Sequence, residues 1–197
     1  MSSEPKANVG VDRQFLTCIV MCGLAVVVIF LFHRRPYLPT LLSGLPLFRQ
    51  ALLGFAFGGL YWLSAAIGFK YVANRQTTQH IAKSYGRLDL TGWNPLWISL
   101  AAAFGEELLF RGALQPLLGI WVTSALFVLA HTQAYRLSSV NKRVLMKSMM
   151  LFALSIVFGY IAQYAGLITV MIVHAAMDIV GLYTIRRIAL APVSAAA

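Results

Sequence analysis

Acidic residues are scarce in this chain. Among 197 residues there are six, Glu4, Asp12, Asp89, Glu106, Glu107 and Asp178, and charged residues of both signs make up only 11%. Soluble domains carry roughly 25% charged residues, so a water-soluble globule is excluded for want of polar surface. Cysteine is equally sparse. Cys18 and Cys22 lie four apart within one apolar run, where a disulfide between neighbours on one helix face is geometrically unfavourable. Two thiols make no metal site, and both residues read as small packing groups. There is no HExxH pair, so the zincin arrangement is absent. No serine or cysteine sits at a fixed spacing from a base, which excludes an obvious nucleophilic triad. The net charge of +10 comes with no nucleic-acid recognition motif, so nucleic acid is not an expected partner.

What the chain has instead is apolar length. Hydrophobic residues make up 59% and the mean hydropathy is +0.75, with several runs of the ~20 residues needed to cross a bilayer core. These runs predict an all-α, multi-pass membrane bundle forming one domain over 1–197. About six transmembrane helices are expected, near 15–32, 50–69, 95–114, 118–136, 148–164 and 167–185. The first is followed by HRRPYLP and not by a small-residue cleavage pattern, which predicts a retained signal-anchor. The second carries Gly54-x-x-x-Gly58, a close-packing motif of membrane helices. The polar stretch 73–92 predicts a loop, and the Ala-rich tail after 190 a disordered end.

The basic residues fall between the runs. With six spans, twelve of the sixteen Lys and Arg lie on the side of the termini and four on the other. This predicts cytoplasmic termini and contacts with anionic lipid headgroups.

Ionisable groups inside a hydrocarbon core are expensive and mark candidate functional sites. Here they are Glu106, Glu107, Arg111, His131, His174 and Asp178; His33 and His80 fall in loops and are expected to be solvated. A hairpin turning near Gln115-Pro116-Leu117-Leu118-Gly119 places Glu106 and His131 each about 12 residues from its centre, roughly 18 Å deep. A second turn near Ala165-Gly166 puts His174 about 13 Å in. If both turns lie at one face, three groups converge near mid-membrane. Glu107 and Arg111, four apart, share a face and predict a buried ion pair. Glu106 is rotated about 100° away and is left free of it. His174 and Asp178, and likewise Phe127 and His131, share faces at the same spacing.

A carboxylate and an imidazole around one water form a general-base pair, while the remaining His and Asp orient the base or bind a developing oxyanion. The same four groups, Glu106, His131, His174 and Asp178, could instead ligate a divalent metal that activates the water.

In order and in separate spans, Glu106-Glu107-x-x-x-Arg111, Phe127-x-x-x-His131 and His174-x-x-x-Asp178 resemble the three motifs of the CPBP intramembrane proteases. That family includes CAAX prenyl endopeptidases and bacterial relatives linked to bacteriocin processing or immunity. The resemblance covers about 95–185, the catalytic core. It implies peptide-bond hydrolysis within the membrane, with Glu106 and His131 activating water and His174 and Asp178 on the oxyanion side. Glu107, Arg111 and Phe127 are expected to give structural support. Most family members have Asn where this chain has Asp178, and an ionised Asp cannot donate to an oxyanion. Asp178 is therefore expected either to orient His174 or to be held protonated.

No cofactor is favoured, with zinc as the alternative. The expected partners are membrane lipids and a peptide or protein with a membrane-proximal cleavage site. The small size points to a bacterial member in the cell membrane. The competing expectation is a non-catalytic membrane scaffold or partner-binding protein, in which the polar cluster only holds the bundle together.

Overall fold

Where water is absent, every backbone donor and acceptor must be satisfied internally, and helices do this segment by segment. The computed structural model describes residues 10–33, 37, 41–71, 88–131 and 142–190. These form helices α1 (Val11–Phe32), α2 (Leu47–Tyr71), α3 (Asn94–Glu107), a π-helical segment (Leu108–Leu114), α4 (Gln115–Ala130), α5 (Lys142–Tyr164) and α6 (Leu167–Leu190). Among the described residues the sheet-like pairing is a single antiparallel bridge, Gly44 with Gly166.

Five helical segments are long and apolar enough to cross a membrane: Val11–Phe32, Leu47–Gly68, Asn94–Ala130, Val144–Tyr164 and Leu167–Ile188. The expected count of about six is close: the third and fourth runs share one stretch of 37 residues, which is folded back on itself at Gly119 into two legs. This residue has φ 75° and ψ 168°, a conformation open to glycine at no steric cost. Helical geometry resumes on both sides of that single residue. The reversal is visible in the rings of Phe110 and Phe127, 5.0 Å apart across the fold. The end of the expected fourth run, 132–136, lies outside the described residues, as do most of the polar stretch 73–92, His80 and the Ala-rich tail.

Burial is inverted relative to a soluble protein. Gln50, Glu107, Thr123, Thr169, Ser99, Ser124 and Ser155 are among the largest fully buried side chains, while Ile19, Phe30, Phe48, Phe55, Trp62 and Trp121 are more than half exposed. Apolar side chains facing outward around a polar interior fit hydrocarbon as the solvent, and the chain is an integral membrane protein.

Small residues set the helix contacts. A Cβ on Gly54 or Gly58 would stand 2.7 Å from Ile172 or 2.8 Å from Ala176, so the GxxxG pair brings α2 onto α6. A Cβ on Gly105 would lie 3.1 Å from the Cα of Cys18, which closes α1 onto α3. Ahead of α3, outside the membrane segment, Asp89 accepts from the Thr91 backbone N–H at 3.0 Å and its hydroxyl at 2.8 Å. The Thr91 N–H, with help from that hydroxyl, holds the Asp89 carboxyl below its ordinary range.

The turns before α2 and α6 are stapled together. Buried Gln50 donates to the Leu45 carbonyl at 2.7 Å and accepts from the Ile168 N–H at 3.1 Å, satisfying one of the open donors at the start of α6. Its own carbonyl accepts from Thr169 Oγ1 at 3.1 Å. Gly166 adopts φ 119°, and a Cβ there would stand 2.3 Å from the Gln50 amide. Gly166→Ala is therefore expected to lower stability by about 1–3 kcal/mol, read from thermal unfolding in detergent.

Candidate active site

The π-helical segment follows directly on the two glutamates. Within it the Gln115 N–H bonds the carbonyl of Phe110, five residues back. Such widened turns recur at functional sites because they release backbone groups from the regular ladder. Pro116 contributes as well. It has no N–H, so the carbonyl of Gly112, four residues earlier, loses its α-helical donor. Tyr37 Oη donates to Gly112 O, and His33 Nε2 donates to Ala113 O at 2.8 Å. The two rings lie 3.9 Å apart. His33 is thus half-buried and bonded to a helix carbonyl, against the expectation that it is solvated. The reason is that the π segment offers it an acceptor that no local pattern announces.

All four groups expected at the site are brought together. Glu106 Oε2 stands 3.4 Å from His131 Nε2 and 3.9 Å from His174 Nε2. His174 Nε2 is 3.6 Å from Asp178 Oδ2. The side chains of Glu106, His131 and His174 are 12%, 14% and 10% exposed, and that of Asp178 is 39% exposed, which places it at the rim. His131 donates from Nδ1 to the Phe127 carbonyl at 2.8 Å, which leaves Nε2 to face Glu106. The Phe127 ring stacks on His131 at 4.2 Å and carries the Arg111 guanidinium 5.4 Å from its centroid.

The support residues do more than expected. Glu107 and Arg111 form the predicted ion pair at 3.2 Å, both side chains fully buried. The second oxygen of Glu107, however, accepts from His174 Nδ1 at 2.8 Å. The orienting bond to His174 therefore comes from Glu107 and not from Asp178. Arg111 is tied in turn to Ser155 Oγ at 2.8 Å, and the Phe158 ring lies 5.3 Å from His174. Helix spacing offers no signal for these links, because they join residues 44 and 67 apart in the chain. An isolated Ser155 in an apolar helix is the one hint the sequence contains.

At the centre of the site, Glu106 Oε2 is buried and has no hydrogen-bond partner among the described residues. Buried polar atoms are almost always paired; this carboxylate oxygen instead faces two imidazole nitrogens, at 3.4 and 3.9 Å.

Among the described residues no three His, Cys, Asp or Glu side chains are grouped so as to hold a metal ion.

These features define a polytopic membrane protein with a carboxylate–histidine site enclosed by its helices. Residues 89–180 match the family model described as Type II CAAX prenyl endopeptidase Rce1-like. That match agrees with the resemblance read from the three motifs: this segment is similar to the CPBP family, a family of membrane proteases. No curated protein and no solved structure matches the chain.

Proposed function

We propose that this protein is an intramembrane endopeptidase in which Glu106 and His131 activate a water and His174 stabilises the oxyanion. The observation that carries this reading is the buried, unpartnered Oε2 of Glu106, 3.4 Å from His131 Nε2. With Nδ1 donating to Phe127, a neutral His131 turns an acceptor toward Glu106, itself an acceptor. A water lying ~2.8 Å from each donates one hydrogen to Glu106 and the other to His131, which relieves the conflict.

As the water oxygen bonds to the scissile carbonyl carbon, Glu106 takes its proton and the carbonyl π pair moves to oxygen. His174, carrying protons on both nitrogens, donates Nδ1–H to Glu107 and Nε2–H to that oxyanion. Collapse breaks the C–N bond, and the proton held by Glu106 passes to the leaving amine.

Asp178 sits at the rim and faces His174 Nε2. In this scheme it is protonated and adds a second donor to the oxyanion, which an amide would replace. Asp178→Asn is expected to retain activity within roughly threefold, less than 1 kcal/mol of barrier, at neutral pH, and to keep it at higher pH where the parent declines. Loss of activity in this variant would assign Asp178 an anionic role.

The chemistry proposed uses no metal. EDTA or 1,10-phenanthroline is expected to leave cleavage by the purified protein unchanged. Loss of cleavage that Zn²⁺ restores would overturn this.

The substrate proposed is a peptide or protein tail with its cleavage site at the membrane, and the family name raises a lipidated C-terminal tail as one form. An apolar cavity of ≈ 560 Å³ supports a bilayer-side approach. It is lined by residues of α2, α3 and α6, including Phe55, Phe104 and Ala175, the last adjacent to His174. We further propose a bacterial cell-membrane location with cytoplasmic termini. Mass spectrometry of membrane-associated peptides from cells carrying the parent or Glu106→Gln tests the whole reading. A peptide processed only in the presence of Glu106 identifies both activity and substrate. A scaffold predicts identical peptide sets.

A further inference from the structure

Behind Arg111, toward the end of the bundle that carries the Gly119 and Gly166 turns, lies a second cavity of ≈ 300 Å³, lined by Tyr37, Arg111, Gln115, Ile120, Ala162 and other residues. Two of its lining residues carry further unpartnered atoms. Arg111 Nη1 and Gln115 Oε1 are buried with no hydrogen-bond partner among the described residues, on residues 4% and 8% exposed. The orientation of the Gln115 amide is fixed, because its nitrogen donates to the Gly159 carbonyl at 3.0 Å. The residues lining the cavity therefore carry one open donor and one open acceptor.

That pairing selects the occupant. An anion would satisfy Arg111 but would face the Gln115 oxygen, which it cannot bond. An acyl chain would satisfy neither. Water accepts from Arg111 and donates to Gln115, and the volume holds several molecules at ~30 Å³ each. Arg111 Nε and Nη2 are engaged by Glu107 and Ser155, so the Glu107–Arg111 pair stands between this cavity and the Glu106–His131 slot.

We propose that this cavity is an aqueous vestibule, opening at the turn end of the bundle and ending on the guanidinium of Arg111. It hydrates a cation that the membrane interior would otherwise leave partly unsolvated. The site described above is then separated from water on this side only by the ion pair. The proposal rests on membrane embedding and on these atoms, and not on the protease reading.

Cysteine accessibility tests it without a cleavage assay. In a Cys18→Ala/Cys22→Ala background, a cysteine replaces Ala162 on the cavity wall, and for comparison Val157, which faces outward on the same helix and is 52% exposed. Sealed vesicles of both orientations are treated with the membrane-impermeant cation MTSET. The Ala162→Cys thiol is expected to react from one face only, at least tenfold faster than the Val157→Cys thiol, because thiolate forms in water and is suppressed in apolar surroundings by roughly one pKa unit or more. Reaction of the cavity thiol with membrane-permeant N-ethylmaleimide but not with MTSET from either face means a lipid-filled cavity and overturns the proposal. So does reaction only after denaturation, which means a dry one. If Ala162→Cys fails to insert, Ile120→Cys on the opposite wall is read by the same outcomes.

Discussion

Glu106→Gln is expected to abolish cleavage while leaving the protein inserted and folded. The exchange keeps the side chain's shape and removes its ability to take a proton. General-base catalysis contributes roughly 10²–10⁴-fold, and a loss of at least this size is the expected kinetic result. Folding should be indifferent or gain slightly. Glu106 Oε2 has no hydrogen-bond partner in the described structure, and an amide placed there can donate to His131 Nε2, 3.4 Å away. Thermal unfolding in detergent should therefore show no loss of stability. A protein that only holds a bundle together predicts a different pattern, in which peptides are unaffected by the substitution. Cleavage retained within a few-fold would remove Glu106 from the role of base.

The second large effect is expected at Arg111. Arg111→Leu leaves the Glu107 carboxylate fully buried, with His174 as its remaining partner. Breaking a buried pair by removing one member typically costs about 3–5 kcal/mol, most of it from the stranded charge. Ser155 also loses its contact with the guanidinium. The double variant Glu107→Leu/Arg111→Leu removes both charges and should recover most of that stability. It should not recover cleavage, because His174 Nδ1 then lacks the acceptor that holds the ring. A stability change below about 1 kcal/mol in the single variant would mean that the pair behaves like an exposed one, which its burial does not allow.

Much of the candidate site is legible in the chain because helices convert counting into geometry. Glu106 and His131 meet because nearly equal numbers of residues separate them from one reversal, and the reversal falls at Gly119, where a positive φ is needed. Glu107 and Arg111 pair because they are four apart. The two helices expected at this reversal adjoin directly, because a single glycine folds the third and fourth runs on each other without interrupting helical geometry elsewhere.

The sequence by itself determined the solvent, the helices and the spacing of the polar groups along them. Composition decides whether a chain can face water, and a rise and turn per residue decide where each side chain stands. Only the tertiary structure decided which groups share hydrogen bonds. It made Glu107 the partner of His174 as well as of Arg111, put Ser155 against the guanidinium, and set Tyr37 and His33 on the carbonyls freed around Pro116. It also placed Gln50 across two turns 118 residues apart. Those bonds depend on how helices rotate and approach one another, which small residues such as Gly54, Gly58 and Gly105 permit but do not by themselves specify.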